Sequence, residues 1–126
     1  DLDGFRERYP LNSRVVKKGG AITEEVYRIG GRYSKPLTEI VKHLDAAAGF
    51  ATPEMAAALK ALATFYRTGE TADREAYDIA WVKDKASPVD TINGFIEVYL
   101  DARGMKGAWE GLVFYVNQEK TAGIQK

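Results

Sequence analysis

Hydrophobic positions recur at three- and four-residue spacing through the middle of the chain and alternate with polar ones only after residue 90. Over residues 36–48, Leu37, Ile40, Val41, Leu44 and Ala48 fall on one helical face, and Gly49 supplies a stop. Thr52-Pro53-Glu54 then predicts a second helix, because proline is tolerated at the first helical position, and Met55, Leu59, Leu62 and Tyr66 form its buried stripe up to Gly69. Thr71 is expected to cap a third helix that turns Tyr77, Ala80 and Trp81 inward before Ser87-Pro88 ends it. Upstream, Pro10 and Asn12 mark an irregular opening segment over residues 1–12. Arg14-Val15-Val16-Lys17 followed by Lys18-Gly19-Gly20 predicts a short strand and a tight turn. Thr23-Glu24-Glu25 predicts a further helix with Thr23 as its N-cap and acids in the first turn, broken or bent at Gly30-Gly31.

The change of period to two places a strand over residues 92–100. Ile96, Val98 and Leu100 would line its core face; Asn93, Phe95, Glu97, Tyr99 and Asp101 would line the other. Two carboxylates, an amide and a phenol along one line exceed what a packed sheet face accommodates without partners. Either water covers that face, with Phe95 and Tyr99 packed sideways, or a ligand does. Residues 101–107 connect to a second apolar run over residues 109–116, which predicts an antiparallel hairpin that has to pack on the helices or on a sheet from elsewhere. The expected fold is a single α+β domain over residues 1–126. It is mainly helical, with three to four helices and a small antiparallel sheet or hairpin formed by the C-terminal strands.

With 126 residues and 45% hydrophobic content, one domain with its own core is sufficient. Eighteen basic residues balance eighteen acidic ones. No basic field is present to drive counterion release, so nucleic acid is not an expected partner. No apolar run reaches the ~20 residues of a membrane helix, so no membrane partner is expected either. Cysteine is absent, which removes disulfide and thiolate chemistry and leaves both cytoplasmic and periplasmic locations open. Asp1 at the start and the polar stretch over residues 118–126 suggest an excised or processed chain.

Candidate chemistry within the chain is sparse. A hydrolytic zinc site needs three converging ligands and a position for water, and the one histidine, His43, reads as a surface residue of an amphipathic helix. Ser13, Ser34 and Ser87 lie in turn or cap contexts with no second histidine to build a triad. The pairs Gly19-Gly20 and Gly30-Gly31 match neither phosphate-binding glycine pattern.

Several segments nevertheless carry a specific likeness, in order along the chain. They are Leu11-Asn12-Ser13-Arg14-Val15-Val16-Lys17, Thr23-Glu24-Glu25-Val26-Tyr27 with Ile29-Gly30-Gly31, and Trp81-Val82-Lys83-Asp84. Asn93-Gly94-Phe95-Ile96-Glu97 and Met105-Lys106-Gly107-Ala108-Trp109-Glu110 complete the set. Together they resemble the dipeptidyl peptidase III family of zinc exopeptidases over residues 11–116, with residues 37–71 matching only loosely.

The resemblance implies a fragment, from the lobe without zinc ligands, of an enzyme that releases dipeptides from the free amino terminus of oligopeptides. Zinc in that family is held by a His-Glu-x-x-Gly-His helix and a later glutamate, none of which this chain contains, so no metal is expected here and the isolated chain is expected to be inactive. Its expected partners are the oligopeptide substrate and the remaining lobes of the parent chain. On the family's Glu-x-Tyr element, Glu97 would help hold the peptide's amino group and Tyr99 would stabilise the reacting carbonyl, with Asn93 a further substrate-binding candidate. A carboxylate selects an ammonium by a charge-assisted hydrogen bond. A phenol one pleat along, about 7 Å away on a strand, can donate to an oxyanion that forms only on attack. Where the family often has Asp-Pro after the tyrosine, this chain has Leu100-Asp101-Ala102-Arg103. The alternative is a stand-alone peptide-binding or structural domain, which could accept a peptide along the strand edge.

Overall fold

Gly19 and Gly20, with φ of 56° and 86°, make the two-residue turn that folds β1 (Ser13–Lys18) back onto β2 (Ala21–Val26). The computed structural model describes residues 3–124. The strands pair antiparallel from Ser13 opposite Val26 to Lys18 opposite Ala21. The helix expected from Thr23 is therefore a strand. Glu24 accepts the backbone N–H groups of Arg8 and Tyr9 at 2.8 and 3.0 Å, and Glu25 faces Arg14 and Lys18 across the sheet at 2.8 and 2.7 Å. These acids hold distant segments rather than the first turn of a helix.

Three helices follow, α1 (Ser34–Ala48), α2 (Pro53–Thr68) and α3 (Thr71–Lys83), and they contain nearly all of the core. Leu37, Val41 and Leu44 of α1 meet Met55, Leu59, Leu62, Phe65 and Tyr66 of α2, with Tyr77 of α3 closing the layer. The Thr52 hydroxyl accepts the Met55 N–H at 3.3 Å and Pro53 opens α2, while Gly69 ends it with φ of 75°. A side chain at Gly69 would come within 2.7 Å of Val26, so this glycine also lets the first sheet approach the helix end. The Asn12 side chain donates to the Gly69 carbonyl at 3.0 Å, and the Ile29 N–H donates to the Tyr66 carbonyl at 2.8 Å. Thr71 is the first residue of α3 rather than its cap; Glu70 stands at that position, and its N–H is taken up by the Thr68 hydroxyl at 3.2 Å.

The second hairpin pairs β3 (Val89–Glu97) with β4 (Ala108–Tyr115), antiparallel, and α4 (Gln118–Ile124) ends the described chain. The two hairpins remain separate two-stranded sheets and do not merge into one sheet built from both ends of the chain. The expected α+β class holds, but the face assignment on β3 does not. Phe95 is buried at 3% exposure, packing on Tyr27 and Tyr66, whereas Leu100 is 75% exposed. Phe95 turns inward because Tyr27, Tyr33 and Tyr66 give it aromatic partners. A bulge follows it: Phe95 pairs with Trp109 and Glu97 with Ala108, leaving Ile96 as an extra residue that interrupts the alternation before Glu97. β3 then ends at Glu97, three residues before the expected boundary.

Candidate functional site

The three candidate residues lie in three different settings along β3 and the turn that follows it. Asn93 lies within β3, half-buried, and its side-chain oxygen accepts the Tyr66 hydroxyl. That hydroxyl also accepts the Trp109 indole N–H at 3.3 Å, so the phenol bridges the two strands from below. Tyr66 is fully buried, and loss of solvation pushes its phenol well above the ordinary range, keeping it neutral at all physiological pH. Asn93 is thereby engaged by the core through its oxygen.

Glu97 is the last residue of β3, half-buried and immediately past the bulge. Bulges of this kind re-aim a side chain at the margin of a sheet. Tyr99 does not continue the strand. It sits in a turn closed by the Asp101 N–H donating to the Val98 carbonyl at 3.0 Å, and it is 73% exposed. The strand spacing expected between Glu97 and Tyr99 is thus replaced by a strand end followed by a turn.

The departure at Leu100-Asp101 is compatible with an ordered turn because Asp101 organises it. One carboxylate oxygen accepts the N–H groups of Met105, Lys106 and Arg103 at 3.0, 3.3 and 3.2 Å. Those bonds, Met105's foremost, hold the Asp101 carboxyl below the usual carboxylate range. Gly104 takes φ of 62° as the chain doubles back, and the Gly107 N–H donates to the Leu11 carbonyl at 2.9 Å. A Cβ at Gly107 would lie 2.9 Å from the Phe95 carbonyl carbon and 3.1 Å from the Ile96 nitrogen, so only glycine lets this loop press against the bulge.

A charged clamp fixes the same loop to the start of the chain. Lys106, 14% exposed, bonds the Glu7 carboxylate, itself 7% exposed, and donates to the Ser13 hydroxyl at 3.1 Å. Arg103 bonds the other Glu7 oxygen at 2.6 Å, and this contact first, then Lys106, holds the Glu7 carboxyl below its ordinary range. Ser13 in turn donates within 2.7 Å of Glu24, joining the clamp to the first sheet.

Beside the bulge lies an open groove of about 360 Å³, lined by Tyr27, Tyr33, Ile40, Phe95, Ala108 and Trp109 among others. Sequence reasoning missed the supports of β3. Arg74 on α3 donates to the Phe95 carbonyl at 3.1 Å, and Tyr66 holds Asn93. The available signal was Arg74 three positions before Tyr77, a cation beside the inward stripe of a helix.

His43 is exposed on α1. Among the described residues, no three histidine, cysteine, aspartate or glutamate side chains come together to hold a metal ion. No described helix is long and apolar enough to cross a membrane.

Comparison with known proteins places this geometry in a family. The chain is 37% identical over 98 residues to dipeptidyl peptidase 3 of Dictyostelium discoideum, covering 76% of this chain and 14% of that protein. It is 30% identical over 99 residues to dipeptidyl peptidase 3 of Rattus norvegicus, covering 76% of this chain and 13% of the relative. The structure of DPP III from Caldithrix abyssi superposes with a TM-score of 0.80 at 22% identity, over 90% of this chain and 21% of that one, which shows a shared fold. Peptidase family M49 matches residues 8–126, and the chain belongs to that family.

Proposed function

We propose that this chain is a peptide-positioning segment of a zinc-dependent dipeptidyl peptidase, part of the lobe that carries no zinc ligands. The observation that carries the proposal is the placement of Glu97 at a bulged strand end with Tyr99 in the adjoining turn. Glu97 would hold the free ammonium of an oligopeptide, which sets the register from the chain end. Tyr99 would donate its hydroxyl to the carbonyl under attack, a contact that strengthens as negative charge develops. Asn93 remains a substrate-binding candidate through its amide nitrogen, its oxygen being occupied by Tyr66. The described residues hold no group of ligands that fits a zinc ion, and the isolated chain is expected to be inactive.

The test uses dipeptidyl arylamides on the full-length peptidase that carries this segment. Glu97→Gln is expected to raise KM about tenfold or more, the equivalent of losing one charge-assisted bond. Tyr99→Phe is expected to lower kcat with little change in KM. Identical effects of the two substitutions would remove the separate roles. Turnover by the isolated chain with added zinc, co-eluting with it on gel filtration, would refute its inactivity. Equal affinity for free and N-acetylated peptides would refute amine recognition.

A further inference from the structure

Arg74 is held where it can govern the bulge. Its side chain is 17% exposed, its Nε bonds Asp78 one helical turn further on at 2.9 Å, and its Nη1 donates to the Phe95 carbonyl at 3.1 Å. The guanidinium carbon also lies over the rings of Tyr77 and Phe65, at 5.7 and 6.0 Å. A planar fork of donors suits this double task, because one branch can be fixed on α3 while another reaches the strand. Gly94, with φ of 155°, lies beside it: a Cβ there would be in ordinary contact with Nη1 at 3.4 Å.

Phe95 is the last regularly paired residue before the bulge, and Glu97 is the first after it. The carbonyl that Arg74 grips therefore belongs to the peptide link leading into Ile96, the extra residue. An alternation of period two would carry Glu97 onto the inward face with Phe95, and the local departure from that alternation is where Arg74 acts.

We infer that Arg74, steadied by Asp78, is a positioning residue for amine recognition: it fixes the Phe95 carbonyl, and through the bulge it aims the Glu97 carboxylate at the peptide's ammonium. This inference rests on Glu97 being the amine-binding group. Arg74 touches no substrate. Its effect on peptide binding passes through Glu97, which distinguishes it from a clamp that only stabilises the fold.

A kinetic cycle on the full-length peptidase tests this, with Arg74→Ala, Glu97→Gln and the double variant assayed on a dipeptidyl arylamide, and with free and N-acetylated peptides as competitors. Arg74→Ala is expected to raise KM about tenfold with kcat within about threefold, and to lower the preference for the free amine by a similar factor. In the Glu97→Gln background the same change is expected to cost less than about twofold, because positioning a missing carboxylate gains nothing. Arg74→Lys, which retains one donor for the carbonyl, is expected to restore part of the loss. Asp78→Asn, at a half-exposed carboxylate, is expected to raise KM about threefold and carries the test should Arg74→Ala fail to fold.

Equal losses from Arg74→Ala in both backgrounds would overturn the inference. An unchanged KM in Arg74→Ala or Asp78→Asn beside a raised KM in Glu97→Gln would overturn it while leaving amine recognition standing. An unchanged KM in Glu97→Gln would overturn both.

Discussion

Replacing Lys106 by methionine isolates the energetic value of the clamp that holds the 98–107 connection to the start of the chain. Methionine keeps much of the apolar stem and removes the ammonium, so the loss is electrostatic rather than a loss of packing. Glu7 would then keep its charge at 7% side-chain exposure with Arg103 as its remaining ionic partner. Breaking a buried pair by deleting one member costs about 3–5 kcal/mol, because the surviving charge is left desolvated. Arg103 stays bonded at 2.6 Å, although it is itself 47% exposed, which reduces the expected cost to about 2 kcal/mol. Urea unfolding followed by tryptophan fluorescence should show a lower midpoint with unchanged slope. Little of the loss should disappear in high salt, since a desolvated pair is weakly screened. The double variant Glu7→Gln/Lys106→Met should be more stable than Lys106→Met alone, because it removes the stranded carboxylate. A Lys106→Met variant within about 0.5 kcal/mol of the parent, or a double variant that simply sums the two losses, would refute the clamp as the source of order in this connection.

Three further outcomes are expected. Gly107→Ala should cost about 1–3 kcal/mol in the same unfolding assay, because the added carbon meets the Phe95 and Ile96 backbone at 2.9 and 3.1 Å, and a neutral result would show that the loop can move away from the bulge. Acid titration monitored by circular dichroism should show stability intact above about pH 5 and declining from about pH 4.5 towards pH 2. The sign follows from depressed carboxyls: Glu25 is held at about 2 by Lys18 and Arg14, and Glu7 and Glu70 are lowered by their own partners, so the unfolded chain takes up protons first as pH falls. Burial of Tyr77 pushes its phenol up to about 12, and Tyr66 is raised as well, so stability should fall as pH climbs from about 10 towards 12; a flat profile there would contradict the burial of both phenols.

The helical layer was legible because its signals are local. Thr52, Pro53 and Gly69 mark the ends of α2, and the stripes of α1 and α2 are the core itself. β2 was misread because Thr23-Glu24-Glu25 imitates a helix start, while its true partners lie at Arg8, Tyr9, Ser13, Arg14 and Lys18. No pattern confined to residues 21–31 contains those contacts. Glu97 and Tyr99 could be picked out by type and family likeness, but their setting could not. Phe95 turns inward onto Tyr27 and Tyr66, the unpaired Ile96 interrupts the alternation before Glu97, and the turn closed by Asp101 ends the strand early. The supports from Arg74 and Tyr66 depend on how α2 and α3 pack beneath the strand, which is a property of the tertiary fold.

The near-exclusive location of the core in α1–α3 implies a hierarchy of local stability across the chain. Phe95 is the one residue of the β3–β4 hairpin in that core, and from Leu112 to Tyr115 the side chains of β4 are exposed. Amide protons of the hairpin should therefore exchange through small openings that leave the helices intact, while those of α2 require global unfolding. The end proposed to hold the peptide would then belong to the most yielding part of the chain. A ligand gripping Glu97 would slow exchange chiefly along β3 and β4, so binding and tightening of the hairpin would be one thermodynamic event.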